Sequence, residues 1–457
     1  MAWNPATPSS VALTRHGRQG GERASPADWL GLAVAPAAIT GGHFAAGGGT
    51  NIQSAVLVTV LAVILLIRVL RPEARVALES VPALWGMGLL FGGVMILAAL
   101  SLTSWAPGGP HPIWAMTGSE VRAGTLNRFQ TTMEVIKLTG LACAFLLGVL
   151  QGGRPDQARR TIYLLVTIGA VYAVAAMILL GTGTQALSTP RLTGGFLSPN
   201  SAATVFGVLI VIGTVVALRQ WRRSSAAGWR AALVGTGPIG AALALFATCL
   251  LLTGSRAGLA ATAGAMLILL FWQAATGGAG RISRWRRGVA ALAALAVVAI
   301  GGWGHVLGDR LGSLGADAAV RRGIMDAHWR AFLDAPWFGH GLGSFRELNA
   351  MVMSEATYAD LWPIRSAHNV YLQWLEEAGV VGSAAMFSLI GLVIWIGLRR
   401  AASAWRGAEL ARGLVAANVV VLLHGMTDYA LQEPSIAAFW AFTLGVQIAW
   451  SAERART

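Results

Sequence analysis

The sequence predicts an all-α polytopic membrane protein with about 12 transmembrane helices, each taking about 20 apolar residues. Of the 457 residues, 55% are hydrophobic and only 12% are charged, which is about half the charged fraction of a typical soluble domain. The mean hydropathy is +0.61. This composition excludes a disordered chain, a coiled coil and an ordinary soluble enzyme. The long unbroken apolar runs exclude a β-barrel, whose strands alternate polar and apolar residues.

The chain is predicted to open with a disordered cytoplasmic tail over residues 1–27, which lacks the apolar segment of a signal peptide. Transmembrane helices 1–9 follow in residues 28–307, a loop in 308–368, helices 10–12 in 369–451, and a short tail in 452–457. The first span is the weakest, because it holds Pro36 and several glycines. The predicted spans are 28–47, 54–70, 82–102, 131–150, 160–181, 198–218, 233–253, 256–273, 288–307, 369–398, 411–430 and 434–451.

The arginines predict the orientation of these spans. The formal net charge is +14, a balance that in a soluble protein suggests nucleic acid. Here 23 of the 34 basic residues lie in short clusters on every second connection. The positive-inside rule places those connections and both termini in the cytoplasm. The loop over 308–368 is then periplasmic, the lipid bilayer is the expected partner, and no nucleic acid is expected.

The periplasmic loop is predicted to contain a helix. Its acidic and basic residues nearly balance. Val320, Ile324, Ala327, Ala331 and Phe332 recur at helical spacing, which predicts an amphipathic helix over 319–335 on the outer surface of the membrane. Pro336 and the glycine-rich run after it end this helix.

Arg191 and Arg256 are the candidate anion-binding residues. Each lies in a bend rich in Gly and Ser at the outer end of a span, and Asn200 begins the span that follows Arg191. An arginine near bilayer depth is costly and usually has a partner or a function. Its planar fork suits a pair of phosphate oxygens. The alternative is an interfacial anchor whose guanidinium reaches the lipid headgroups.

His368 is the candidate proton acceptor. It lies where the long loop meets span 10, beside Asn369, and histidine is the side chain most easily poised for proton transfer near neutral pH. The alternative is a helix-start histidine bonded to backbone or water. Glu376 lies eight residues further on, about 12 Å away along a helix. It is therefore expected to be structural and not a partner of His368.

Two further polar sets are weighed against simple structural roles. His424 and Asp428 stand at i and i+4 near the end of span 11 and could touch. They form either a second proton-transfer pair or a polar pair that ties helices together. Arg322, Asp326 and Arg330 follow the same spacing on the loop helix, where most such sets are solvated ion pairs.

Several motifs are absent from the sequence. It contains no Asp-x-Asp pair, no GxxxxGK[ST] phosphate loop, no HExxH and no G-x-S-x-G elbow. Cys143 and Cys249 each lie inside an apolar run without metal-ligand spacing, and are interpreted as lipid-facing or core thiols. The sequence therefore gives no support for an ATPase, a nucleotide-sugar transferase or a metalloprotease, and no metal or cofactor is expected.

The long loop and the span after it resemble the bacterial O-antigen ligase/polymerase family. The similar segments are Arg322, the run Pro336-Trp337-Phe338-Gly339-His340-Gly341-Leu342-Gly343-Ser344-Phe345, the run Ala367-His368-Asn369-Val370-Tyr371-Leu372 and the run Glu376-Glu377-Ala378-Gly379-Val380-Val381-Gly382. Residues 191–200 and 255–258 fit the same family, as does the layout of spans around one large loop. The resemblance covers residues 120–450.

The resemblance implies an all-helical, GT-C-like glycosyltransferase of the bacterial inner membrane. Its members transfer a glycan from undecaprenyl pyrophosphate to an acceptor hydroxyl at the periplasmic face. The acceptor is lipid A core in ligases and another lipid-linked unit in O-antigen or exopolysaccharide polymerases. By the same resemblance His368, Arg191 and Arg256 match functionally important positions, and other polysaccharide-assembly proteins are a further class of partner.

Two other functions remain open from the sequence. A transporter or flippase of lipid-linked glycans would also have about 12 spans, but such proteins show paired repeats and broken helices near the midplane. No repeat of fixed period is visible here. A structural membrane subunit without chemistry would leave the outer arginines unexplained.

Overall fold

The computed structural model describes residues 25–276, 314–403, 405 and 407–452, and within them the chain is helical and has no strand. The helices in chain order are α1 (Pro26–Phe44), α2 (Asn51–Val69), α3 (Pro72–Glu79), α4 (Leu84–Ser101), α5 (Ile113–Met116), α6 (Arg128–Gly152), α7 (Pro155–Thr182), α8 (Pro199–Ser224), α9 (Trp229–Leu252), α10 (Arg256–Ala275), α11 (Leu314–Asp334), α12 (Phe345–Val352), α13 (Tyr358–Leu361), α14 (Val370–Ala402), α15 (Ala408–Gly425) and α16 (Pro434–Ala452).

The predicted fold class is confirmed. Each predicted span inside the described residues coincides with a helix, and the predicted span over 288–307 lies outside them. Among the described helices, nine are long and apolar enough to cross a membrane. The chain is thus a polytopic all-α membrane protein, whereas the count of 12 spans is not confirmed.

The helix bundle packs closely where glycines allow it. Gly148 and Gly152 of α6 face α16, and a Cβ on Gly148 or on Gly445 would overlap backbone atoms of the opposite helix. Small residues of this kind let membrane helices approach each other without a hydrophobic driving force. The two thiols, Cys143 and Cys249, are free and buried, which agrees with their interpretation as core residues.

The predicted loop helix is present as α11. Its Ile324, His328 and Ala331 are buried and it packs against α14 and α12. Met325, Trp329 and Leu333 form a second, exposed apolar stripe on the same helix. One face of α11 therefore packs on protein, while the neighbouring stripe suits the membrane interface.

A break in α14 anchors the loop to the bundle. Gly379 has φ 64° and ψ −175°, which interrupts the helix. The N–H groups of Val380 and Val381 donate to the carbonyls of Pro336 and Trp337. In exchange, the carbonyls of Glu376 and Glu377 accept from the N–H groups of His340 and Gly341. The loop backbone thus replaces the two helical hydrogen bonds that the break removes.

Glycine is required where the loop and α14 meet. Gly339, Gly341 and Gly343 have positive φ, a region that costs other residues free energy. A Cβ on Gly339 or Gly379 would overlap the backbone of the opposite segment. This close approach holds the start of α14, and with it His368, in a fixed position relative to the loop.

Candidate active site

The candidate site lies where α8, α10 and α14 begin and α15 ends. Each of the three helix starts is capped by a side chain, from Ser198, Ser255 and Asn369 respectively. Helix N-termini carry partial positive charge and present N–H groups to anions. Asn369 caps α14, because its Oδ1 accepts hydrogen bonds from the N–H groups of Tyr371 and Leu372.

Arg191 is held between two elements of the site. Its Nε donates to the carbonyl of Thr253 at 2.6 Å, and its Nη2 donates to Oδ1 of Asn200 at 3.3 Å. Gly254, whose φ is 58°, allows the bend after α9 to pass close to this side chain. The bend continues directly into Arg256, the first residue of α10. The two predicted arginines therefore meet at one turn.

Asn200 connects Arg191 to an acidic residue. Its Nδ2 donates to Oδ2 of Asp428 at 2.6 Å, so one amide joins the guanidinium to the carboxylate. Asp428 is fully buried, and its Oδ1 has no hydrogen-bond partner within the described part of the chain. Burial raises the pKa of Asp428 to about 6.

His424 and Asp428 could touch by their spacing, but no hydrogen bond joins them. Helix α15 ends at Gly425, so Asp428 lies beyond the helix and not one turn along it. His424 Nδ1 lies 2.7 Å from Oγ1 of Thr204, while Asp428 binds Asn200. Both side chains thus attach the end of α15 to α8, as a polar pair that ties helices together would do.

His368 lies immediately before the cap of α14. Its φ is 51°, a left-handed conformation that is uncommon outside glycine and occurs at functional sites. Its ring packs edge-on against Tyr429, with centroids 5.2 Å apart, and no described residue is a hydrogen-bond partner of its buried Nδ1. Burial, with a smaller contribution from Arg321, lowers the pKa of His368 to about 4. The imidazole is therefore neutral at pH 7 and able to accept a proton.

Arg321 is a site residue that the sequence analysis missed. Its Nη1 donates to the carbonyl of Thr427 at 2.7 Å, next to Asp428. Its charge also acts on both His368 and Asp428. The signal was present in the sequence, because Arg321 precedes the buried Ile324 and His328 by three and seven residues and continues their line along α11, although its own side chain is exposed.

Arg322, one of several residues predicted to support the site, points in a different direction from Arg321. Residues adjacent in a helix are about 100° apart around its axis. Arg322, Asp326 and Arg330 are all exposed, and among the described residues no ion pair joins them. Arg321 is exposed as well, and what places it at the site is its hydrogen bond to Thr427, which has no counterpart at Arg322 among the described residues.

Tyr429 is a second residue that was missed. It follows Asp428, packs against the ring of His368 and lies close to the side chain of Ser198. Burial raises the pKa of Tyr429 to about 12, so the phenol stays protonated. It connects the start of α8 to His368.

Glu376 has the structural role expected from its spacing. Its Oε2 lies 2.8 Å from Nδ1 of His328, and the Nε2 of that ring lies 3.2 Å from Oδ1 of Asn349. All three side chains are buried. This network joins α14, α11 and α12, and so orients the helix that carries Arg321.

The comparisons with known proteins bear on this arrangement. A family model described as O-antigen ligase matches residues 241–387. This match confirms the resemblance to the O-antigen ligase/polymerase family. The matched range includes Arg256, Arg321 and His368, whereas Arg191, Asn200 and the end of α15 lie outside it. No curated protein matches the chain.

The family match gives the general activity. It supports glycan transfer of the ligase or polymerase type by a membrane-embedded enzyme that takes a lipid-linked glycan and an acceptor. In the structure, the part of the chain inside the matched range meets the part outside it at two hydrogen bonds, from Arg191 to Thr253 and from Arg321 to Thr427. The site is therefore assembled from both.

Proposed function

We propose that the protein transfers a glycan from an undecaprenyl-pyrophosphate carrier to an acceptor hydroxyl at the periplasmic face, with inversion and without a metal ion. The observation that carries this proposal is the arrangement of Arg191, Arg321 and His368 around the end of α15. Two guanidinium groups approach that segment through Asn200 and Thr427, and the neutral imidazole of His368 lies beside it.

The arginines are assigned to the donor. The bond from the anomeric carbon to the phosphate oxygen breaks with its electron pair, so negative charge grows on the leaving pyrophosphate. Fixed cations aimed at this charge stabilise the transition state most when water is partly excluded. Arg191 and Arg256 meet at the bend before α10, Arg321 enters from the loop helix, and the helix starts add partial positive charge.

His368 is assigned to the acceptor. The acceptor oxygen attacks the anomeric carbon from the side opposite the pyrophosphate, and its proton passes to the neutral imidazole of His368. A single displacement of this kind inverts the anomeric centre. The hydrogen-bonded Asn200 and Asp428 hold Arg191 in place and are positioning residues. Because the arginines supply the positive charge, the scheme needs no metal ion, and the described residues contain no cluster of three potential metal ligands.

The test is a transfer assay with the purified full-length protein in liposomes. The donor is a labelled lipid-linked oligosaccharide, and the acceptor is either a second lipid-linked unit or lipid A core. We expect a longer glycan on one of the two acceptors, in excess chelator, and a product whose new linkage has the opposite anomeric configuration to the donor. The His368→Ala variant is the matched control.

Two results would contradict the proposal. Movement of the labelled lipid across the bilayer without transfer to either acceptor would identify a transporter. Loss of transfer in chelator that Mg²⁺ or Mn²⁺ restores would require a metal site.

A further inference from the structure

A large apolar cavity lies beside the candidate site. It has a volume of about 500 Å³ and is enclosed by α4, α6, α14, α15 and α16. This is within the range for a site that takes one small ligand or part of a chain. Its walls are mainly hydrophobic, and include Leu84, Phe91, Leu141, Phe387, Ile394 and Trp440.

The cavity runs along the helices from a polar end to an apolar end. On α6 the lining extends from Glu134 to Leu146, a rise of about 18 Å. Tyr371 and Gln432 lie at the polar end, near the loops, whereas Ile394 lies deep in α14. The shape and polarity suit one extended hydrocarbon chain with its head toward the candidate site.

An ion pair faces the polar end of the cavity. Lys137 is the only lysine in the chain, and its Nζ lies 2.7 Å from Oε1 of Glu134. Both residues line the cavity and both side chains are about one-fifth exposed. Ionisable residues inside a membrane are expensive and usually functional. Together they leave this end without net charge, while providing one cation.

The cavity and the arginine cluster are separate but adjacent. Arg191, Arg256, Arg321 and Asp428 do not line the cavity. Its polar end is formed by residues three positions from site residues in the chain: Tyr371 follows His368, and Gly425 precedes Asp428. The hydroxyl of Tyr371 donates to the carbonyl of Leu422 at 2.9 Å and so joins α14 to α15 at this boundary.

We propose that the cavity holds the part of the polyprenyl chain nearest the pyrophosphate of a lipid-linked acceptor, so that the protein is a polymerase. This inference rests on the proposed function. The donor pyrophosphate leaves with new negative charge and belongs at the arginines, which lie outside the cavity. The acceptor pyrophosphate does not change charge in the reaction, so it needs no cluster of fixed cations, and Lys137, paired with Glu134, is the one cation among the lining residues. The cavity has the form of a path for one hydrocarbon chain, whereas lipid A presents several acyl chains side by side.

The first experiment fills the cavity. Gly88 lines it and a Cβ there meets no atom within 4 Å, so Gly88→Phe places a ring in the open space. Gly92 lies one turn further along α4, also has no atom within 4 Å of a Cβ, and does not line the cavity. Gly92→Phe is therefore the matched control. Both variants are assayed in liposomes with acceptors that carry a long or a short prenyl chain.

We expect Gly88→Phe to lower the preference for the long-chain acceptor over the short-chain one by about tenfold, or about 1.4 kcal/mol. Gly92→Phe should keep the wild-type preference. A rise in the KM for the donor in Gly88→Phe, with no change for the acceptor, would overturn the inference and assign the cavity to the donor chain. If both variants keep the wild-type preference for the long-chain acceptor, the inference is wrong and the cavity is occupied by membrane lipid.

The second experiment does not depend on turnover. A polyprenyl phosphate with a diazirine in its chain is photolysed with the wild-type protein. Labels are expected within 386–394 and 437–444, and excess polyprenyl phosphate, but not lipid A, should remove them. Transfer without labelling of these segments, or competition by lipid A, would overturn this inference alone. Labelling without transfer by the wild-type protein would overturn the proposed function, and with it the assignment of the chain to an acceptor.

Discussion

Asn200 donates a 2.6 Å hydrogen bond to the fully buried Asp428 while accepting one from Arg191. One amide therefore holds a cation and binds one oxygen of a buried carboxylate that lies 228 residues away in the sequence. A buried polar group that loses its partner costs more than the bond itself contributes. Asn200 therefore couples the position of the Arg191 side chain to the segment that follows α15.

Asn200→Ala is expected to lower stability and activity together. The unpaired Asp428 should cost about 1–3 kcal/mol, and a displaced Arg191 should lower kcat/KM by about tenfold or more. Thermal unfolding and the liposome transfer assay measure the two effects. The double exchange Asn200→Asp with Asp428→Asn keeps the bond with its polarity reversed and should recover most of both. Failure of the exchange to recover stability would separate Asn200 from Asp428.

His368→Ala is expected to lower turnover by about 10²–10⁴-fold, the range for general acid–base catalysis. Donor binding should change little, because the pyrophosphate contacts the arginines. His424→Ala should be mild, since the ring of His424 ties α15 to Thr204. Single-turnover assays and donor binding measure both. A near-normal His368→Ala enzyme beside a folded but inactive His424→Ala enzyme would transfer the role of base to His424.

Arg321 and Arg322 form a matched pair of adjacent arginines. Arg321→Ala should weaken donor binding and slow transfer, at a cost of about 1.5–3 kcal/mol for a lost charge-assisted contact. Arg322→Ala removes the same charge from a position without a hydrogen bond to the end of α15 and should be close to wild type. Arg321→Lys should not fully restore activity, because an ammonium lacks the planar fork. The same applies to lysine at Arg191 or Arg256. Equal effects at Arg321 and Arg322 would mean that only the net charge of α11 matters.

The pH dependence should differ between free and donor-bound enzyme. The pKa of His368 is about 4, so its imidazole is neutral above that pH and kcat/KM should fall as the pH drops through about 4. Bound pyrophosphate is negative and favours the imidazolium, so the acid limb of kcat should lie at higher pH. Arg321→Ala should raise the limb of kcat/KM, because Arg321 lowers this pKa. A limb of kcat/KM that stays near pH 6.5 in both enzymes would contradict this assignment.

Cysteine labelling tests the orientation. Asp326 is exposed on α11, and Arg223 is a cluster residue at the opposite end of α8 from Asn200. A membrane-impermeant maleimide added to spheroplasts should label Asp326→Cys but not Arg223→Cys. The natural thiols are buried and should contribute little background. The reverse labelling would invert the topology and place the site in the cytoplasm.

The elements that the sequence predicts well are those set by local pattern. The spans follow from apolar length, and Ser198, Ser255 and Asn369 stand at helix starts where caps are expected. Arg191, Arg256 and His368 stand out because charged or titratable side chains at the ends of apolar runs are costly. Those features need no knowledge of which helices are neighbours.

The remaining features depend on contacts between distant segments. Hydropathy predicts one continuous span around Gly379, because the exchange of backbone hydrogen bonds with the loop does not change the apolar character of the sequence. Asn200 and Asp428 are 228 residues apart, whereas spacing alone points to His424 as the neighbour of Asp428. The choice of Arg321 over Arg322 depends on which face of α11 meets the bundle. Burial of its stripe decides this, whereas counting charges does not.

The break at Gly379 also constrains how the protein is made. After the break, residues 380–402 form about 35 Å of helix, which is enough to cross the hydrocarbon core alone. The carbonyls and N–H groups beside the break bind residues 336–343, which precede the span in the chain and lie on the same side of the membrane as its first turn. During synthesis, residues 336–343 therefore emerge from the ribosome before the segment to which they are hydrogen-bonded. The translocation machinery can therefore insert 380–402 as an ordinary span, and docking of the loop then completes the site as a late step of biogenesis.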